Sequence, residues 1–354
     1  MNGHTGLGRI AVSATAVLAA ALGVAFAPPA LAMSQSTAVI AGTMNLEAEA
    51  CATPSPSSCV AVGYNSNGKA VVVPSSDVAE SVPGLVYLNG IACPSASTCL
   101  AISQTDIVPV STSGAVGTPT PVADVVMSAI ACEPGGRRCI AVGAKETDTN
   151  RAAIVPISAT GQPGTPVVLK GKFTLDGVSC PSAGRCVAVG NATGNEAAVM
   201  ATIAGTHVTP TVVSGAPHLD FGGVACTSDT SCVAIGTDTG GSDGFQGVAV
   251  PLDPADNTFG APSVIISNGS LGVPASVACP PGPACFVSGF ASVDPPPSVG
   301  LIVKVAAATG EKQGVSRIDG TATLIGIACP AADECVADGL ASNERQGAIA
   351  TVRR

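Results

Sequence analysis

The chain has 354 residues, long enough for two average domains or one large all-β domain, with 46% hydrophobic, 11% charged and 3% aromatic residues and no tryptophan. Its formal net charge is −9, and its fifteen Lys and Arg are scattered, with no run longer than Arg137-Arg138 or Arg353-Arg354. That excludes nucleic-acid or anionic-membrane binding driven by clustered cations, and it leaves a core built from Ala, Val, Ile and Leu.

Residues 1–32 read as a secretory signal peptide. Arg9 precedes the apolar stretch IAVSATAVLAAALGVAFA, and the small-residue site Ala30-Leu31-Ala32 follows Pro28-Pro29. Cleavage is expected after Ala32, which makes the mature chain secreted and places it in an oxidising compartment. No later stretch is apolar and long enough to cross a bilayer as a helix. Residues 33–354 are expected to form one domain.

From Cys51 onward the sequence repeats. The phrases IACPSASTCLAIS, VSCPSAGRCVAVG and VACTSDTSCVAIG show it most clearly. First cysteines follow one another at spacings of 42, 39, 48, 46, 53 and 50 residues. A period in this range with several short strands per unit marks a propeller blade, so the expected fold is an all-β, seven-bladed β-propeller. The first strand of each blade ends at the first cysteine (YLNGIAC, TLDGVSC, TLIGIAC). The second starts at the second cysteine (CLAIS, CVAVG, CVADG). The third reads KAVVVP, DIVPVS, AAIVPIS, AAVMATI, GVAVPL, GLIVKVA or GAIATV. The fourth is more variable: TPTPVADVV, TPVVLK, TPTVVS, APSVII and GVSRID. Gly, Pro, Ser, Thr and Asn bound each run.

After Cys335 only 19 residues remain, enough for a second and a third strand but not a fourth. Residues 33–50 supply 18 more, and the 37 together fall within the 32 to 46 residues that separate one cysteine pair from the next. The segment Ser36–Gly42 (STAVIAG) is therefore expected to add the missing outer strand of blade seven. Such an exchange closes the ring and removes an open sheet edge.

The 14 cysteines fall into seven pairs, one per repeat. These are Cys51 with Cys59, Cys93 with Cys99, Cys132 with Cys139, Cys180 with Cys186, Cys226 with Cys232, Cys279 with Cys285, and Cys329 with Cys335. Structural zinc sites favour two to four residues between paired ligands and a second pair or histidines nearby. Here the gap is five to seven, and beyond residue 32 only His207 and His218 occur. Export makes disulfides the expected state. Each would pin the hairpin between the first and second strands, contributing at most about 2 kcal/mol because the ring it closes is small.

The phrase CPSAxxCVAVG resembles the secreted repeat propellers of actinobacteria, and more distantly the propellers of photosystem II assembly-factor and sialidase-like type. The resemblance covers Cys51 to Val352 and implies the fold. Those relatives usually carry a Thr-x-Asp-Gly-Gly-x-Thr-Trp element, and here the corresponding segments read VVVPSS, IVPVST or IVPISATG. No ligand site is therefore implied by the family.

Candidate chemistry is sparse. The second-to-third connections, GYNSNGK, AKETDTNR, GNATGNE, GTDTGGSDG, GFASVDPPPS and GLASNERQ, are the polar insertions on the face opposite the disulfides. Asp238 and Asp243 could join carbonyls around calcium, as could Glu146 and Asp148, but their spacing fits no calcium-loop pattern. His207 and His218 lack a nucleophile elbow. The Asn191 and Asn268 sequons are read as chance. The expected function is a non-enzymatic secreted scaffold, without cofactor or metal and monomeric. It presents its loop face to a protein, peptide or cell-envelope partner. A carboxylate-dependent glycosidase or lyase at the channel and a calcium-dependent envelope adhesion protein are the alternatives. A channel lined only by Ala, Val and Gly would count against the glycosidase.

Overall fold

The structure is a computed structural model and describes residues 34–75, 78–193, 197–205, 207–241, 244–267, 272–292 and 298–353. Residues 1–32, the expected signal peptide, lie outside the described residues. Seven antiparallel sheets follow one another around a ring. Blade one is built from β2 (Asn45–Cys51), β3 (Cys59–Tyr64), β4 (Ala70–Pro74) and β5 (Glu80–Ser81). Blades two to six repeat this order. Blade seven contains β27 (Thr321–Ala331), β28 (Glu334–Ala341) and β29 (Gly347–Arg353), and its fourth strand is β1 (Ser34–Ile40) from the other end of the chain. The pairing runs from Ser34↔Arg353 to Ile40↔Gly347 without a break, so the closure expected from the residue count is present, with the strand at Ser34–Ile40 rather than Ser36–Gly42 because Ala41 and Gly42 form the turn that follows.

The second and third strands of each blade have neighbours on both faces, which is why they read as unbroken apolar runs rather than alternating ones. Ala70–Pro74 is buried throughout, for example. The apolar clusters lie between blades, one at each junction. Those at the first six junctions contain 9 to 14 buried residues each. Among the described residues, the cluster between blades seven and one has five: Ile40, Leu46, Ala61, Val71 and Val73.

All seven cysteine pairs are disulfide-bonded as the spacing predicts. Cys51 bonds to Cys59, Cys93 to Cys99, Cys132 to Cys139 and Cys180 to Cys186. Cys226 bonds to Cys232, Cys279 to Cys285 and Cys329 to Cys335, and no cysteine is left free. Each bridge spans the hairpin between the first and second strands, on the face opposite the second-to-third connections. The second cysteine of each pair is the better buried: Cys99, Cys139 and Cys285 are fully enclosed, and Cys186 and Cys232 nearly so. Blade one has the longest disulfide loop, and a 3-10 turn at Pro56–Ser58 fills it, with the Ser55 hydroxyl accepting from the Ser57 N–H.

Two sequence expectations need correction. Val125 and Val126 belong not to the outer strand of blade two but to β10 (Val125–Cys132), the inner strand of blade three. Asp124, at φ 61°, turns the chain between them, and the outer strand β9 is only Thr120–Pro121. The segments AKETDTNR and GTDTGGSDG are largely strand rather than open loops. β11 (Arg138–Lys145) and β12 (Asp148–Ser158) meet across a tight turn at Glu146-Thr147.

The inner strands share one irregularity. In blades one, three, five, six and seven the register slips by one residue, always at the fourth residue before the first cysteine: Glu47, Ser128, Gly222, Ala275 and Ile325. This is a β-bulge, which leaves one residue unpaired and re-aims its side chain. Opposite it lies the glycine of the CVAVG phrase. A Cβ at Gly63 would lie 2.1 Å from the Asn45 carbonyl oxygen, and one at Gly236 would lie 1.9 Å from that of Asp220. The glycine is therefore required by the close approach of the bulged strand. Gly236→Ala should lower stability by about 2–4 kcal/mol, whereas Gly222→Ala, whose Cβ meets nothing within 4 Å, should change it by less than about 0.5 kcal/mol. Urea denaturation midpoints of the two variants check this contrast.

Candidate functional site in the central channel

The bulge column decides what lines the channel. Reading four residues back from each first cysteine gives Glu47, Asn89, Ser128, Asp176, Gly222, Ala275 and Ile325, and all seven line a central cavity of about 290 Å³. The next residue is always small: Ala48, Gly90, Ala129, Gly177, Gly223, Ser276 or Gly326. Neighbouring inner strands crowd one another there. A Cβ at Gly177 would lie 2.8 Å from the Gly223 Cα. The following position carries Ile or Val in six blades and Glu49 in blade one. The channel is thus walled by small, polar uncharged and β-branched residues, with carboxylates only on blades one and four.

Glu47 is held by its own strand, its Oε1 accepting from the Asn45 side-chain amide at 2.9 Å. Burial raises its pKa above the usual carboxylate value, and the Asn45 bond opposes that rise. Tyr87 has its phenol pKa raised by burial and then by the Glu47 charge. On blade four, Asp176 accepts from the Thr174 hydroxyl at 3.0 Å and from the Asn191 side-chain amide at 3.1 Å. Burial raises the Asp176 pKa, the Thr174 bond opposes this, the Asp220 charge adds to it, and the Asn191 bond opposes it again.

Asn191 also ties blade four to blade five. Its amide donates to the Phe221 carbonyl at 3.2 Å, and its side-chain oxygen accepts from the Phe221 N–H at 2.8 Å. With both amide hydrogens engaged, the Asn191 sequon offers no free nitrogen to a glycan. Asn268 lies outside the described residues.

The other sequence candidates do not converge on this cavity. Asp238 lies on β19 (Ser231–Gly241), opposite Gln246, and its Oδ1 accepts from the Gly240 N–H at 2.8 Å. Asp243 lies outside the described residues. Asp148 opens β12 and caps its own turn by accepting from the Asn150 N–H at 3.3 Å. The Glu146 N–H donates to the Asp124 carbonyl, across the first hairpin of blade three. His207 begins β17 (His207–Pro217) and is exposed, while His218 follows that strand at φ 82°. Among the described residues, the only cluster of three ligand-type side chains is Glu49 with Cys51 and Cys59, whose sulfurs form a disulfide.

Sequence reading passed over Glu47, Glu49, Asp176 and Asp338. They sit inside the phrases NLEAEAC, TLDGVSC and CVADG, where they look like ordinary strand residues. Comparing the blades column by column is the signal that finds them, because each stands where other blades carry small, polar uncharged or apolar side chains.

No family model matches the sequence, and no curated protein does. Solved structures share the fold. A Kuenenia stuttgartiensis hydrazine synthase chain superposes with a TM-score of 0.68 at 12% identity, covering 89% of this chain and 97% of that one. YCF48 bound to D1 peptide superposes with a TM-score of 0.60 at 11% identity, covering 92% of this chain and 97% of that one. At these identities the likeness is one of fold.

Because the pKa of Asp176 is raised by folding, the native state binds its proton more tightly than the unfolded chain does. It therefore costs stability as pH rises above the ordinary carboxylate range. Asp176→Asn keeps the acceptor for Thr174 and removes the charge. It should raise the urea midpoint at pH 7 and leave it unchanged near pH 3. A lower midpoint at pH 7 would contradict this account of the site.

Proposed function

We propose that this chain is an exported, non-enzymatic binding scaffold. It takes a protein or peptide partner on the face opposite the disulfides and receives a protonated amine or guanidinium of that partner in the channel. The observation that carries this reading is the pair of carboxylates, Glu47 and Asp176, that blades one and four present at the channel position where the other blades carry uncharged side chains. Glu47 accepts from the Asn45 amide and Asp176 from the Thr174 hydroxyl and the Asn191 amide, all uncharged donors. A cationic group between them would offset the burial that raises both pKa values and the Asp220 charge that adds to the rise at Asp176.

Three further features support it. Large exposed apolar residues occur on the same face: Met44 between β1 and β2, Val86 before blade two, and Phe245 at the β19–β20 turn. Apolar groups around a charged socket are the usual anatomy of a peptide-binding surface. Seven disulfides suit an oxidising, extracellular setting. A propeller of the same fold has been solved with a peptide bound. Among the described residues, no helix is long and apolar enough to cross a membrane.

A carboxylate-dependent glycosidase or lyase is the second reading, favoured by the same raised carboxyls, since a general acid needs such a shift. For the aromatic stacking platform typical of sugar sites, Tyr87 beside Glu47 is the candidate.

The test uses fluorescein-labelled arginine peptides of varied flanking sequence, each with a citrulline counterpart. Arginine peptides should bind better, and the Glu47→Gln/Asp176→Asn variant should bind them at least about tenfold more weakly with its melting cooperative. Equal binding of both peptide series, or no loss in the variant, would overturn the proposal. Release of reducing ends from envelope polysaccharide that the variant abolishes would establish the glycosidase instead.

A further inference from the structure

Every blade junction is built on one repeated contact. The third residue after the second cysteine packs beside the small inner-strand residue of its own blade and against the inner strand of the next. At five junctions both partners are β-branched: Val62 with Ile91, Ile102 with Ile130, Val142 with Val178, Val189 with Val224 and Ile235 with Val277. The geometry is visible at Gly90, where an added Cβ would meet Ile102 at 3.0 Å and Ile130 at 3.5 Å. Between blades six and seven the pair is Ser288 and Ile327, and the Ser288 hydroxyl donates to the Ile325 carbonyl at 3.2 Å.

Between blades seven and one the same two positions are Asp338 and Glu49. A Cβ at Gly326 would lie 1.9 Å from the Asp338 Oδ1 and 2.9 Å from the Glu49 backbone nitrogen, so both residues occupy the repeated contact. Asp338 is completely buried, and neither carboxyl oxygen has a hydrogen-bond partner among the described residues. Glu49 is 9% exposed. This is also the junction with the smallest apolar cluster, and the one where the two ends of the chain meet.

We propose that Asp338 is a proton-controlled latch: as the neutral acid it lets blade seven seat against blade one, and its ionisation loosens that seam. Two acids come from β2: Glu47, whose charge acts on Asp338, and Glu49, whose backbone lies at the repeated contact and whose carboxyl lies near the Cys51–Cys59 disulfide. β27 offers no titratable group outside its disulfide, the 3-10 turn at Pro56–Ser58 offers none, and Arg353 of β29 is engaged with Glu334 at the far end of β28. Among the described residues of these elements, no cation is left to offset an Asp338 charge. Burial and then the Glu47 charge raise its pKa well above the usual carboxylate value, and the backbone N–H groups of Asp338 and Gly326 lie near enough to oppose the rise without reaching hydrogen-bond geometry. The native state thus holds a proton that the unfolded chain releases. The seam is firmest in acid and weakens as pH climbs from the ordinary carboxylate range towards the raised value.

The experiment compares the full chain with Asp338→Val, the residue of blades one, three and four at this position, and Asp338→Ser, the residue of blade six. Urea unfolding from pH 3.5 to 8 gives each folding constant. Against either variant, the parent should lose an extra factor of about ten per pH unit, the slope of one released proton. Hydrogen exchange of the peptide covering residues 34–40, normalised for intrinsic rate, should accelerate with pH in the parent and not in the variants. The outcome that overturns the proposal is an unchanged pH slope in whichever variant folds. A slope removed by Glu49→Gln and kept by Asp338→Ser would also overturn it, because the latch would then be Glu49.

Discussion

Closure of the ring is the constraint on which the rest of this structure depends. A blade cannot bury its second and third strands alone, because both faces of those strands are apolar. Each needs a neighbour on either side, and only a closed ring gives every blade two. The seven-residue pairing of β1 with β29 supplies the last neighbour. It brings the first blade's carboxylates against the last blade's Asp338, a juxtaposition that an open stack would never make. The disulfides act at a smaller scale. They hold the first hairpin of each blade where there is little aromatic surface to bury.

Within the ring, chemistry appears where the repeat departs from itself. The bulge four residues before the first cysteine recurs in five of the seven inner strands, and in all seven blades the residue at that position lines the channel. Most blades offer small, polar uncharged or apolar side chains there. Blades one and four offer carboxylates, and blade seven adds a buried acid behind them. The glycine of the CVAVG phrase and the small residue of the inner strand are the supports of this arrangement. They let the bulged strand and its neighbours approach to contact distance. A scaffold of nearly identical units thus carries an asymmetric electrostatic site through four substitutions, Glu47, Glu49, Asp176 and Asp338.

Much of this was legible in the sequence. Cysteine spacing located the hairpins, the residue count at the seam located the closing strand, and Gly and Pro bounded the strands. The outer strands were the least legible, because they pair on one side only and need few residues. Thr120–Pro121 suffices for blade two, and the valines that follow Asp124 serve the next blade. The polar segment around Glu146 looked like a loop but forms a long hairpin, since strand pairing beyond the core needs no apolar face. The channel acids were hidden for a related reason. Alternation along one strand says which residues face inward from a sheet, but a bulge breaks the alternation, and the pairing of Asp338 with Glu49 exists only between the two ends of the chain.

The closure itself is tested most directly by hydrogen exchange on the intact, oxidised protein, following the peptides that cover residues 34–40 and 347–353 at a pH where the seam is firm. If β1 is the structural fourth strand of blade seven, the two peptides should be protected together and exchange as one cooperative unit. Rapid exchange of residues 34–40, with residues 347–353 remaining protected, would mean that the ring is closed by something else and would contradict the account.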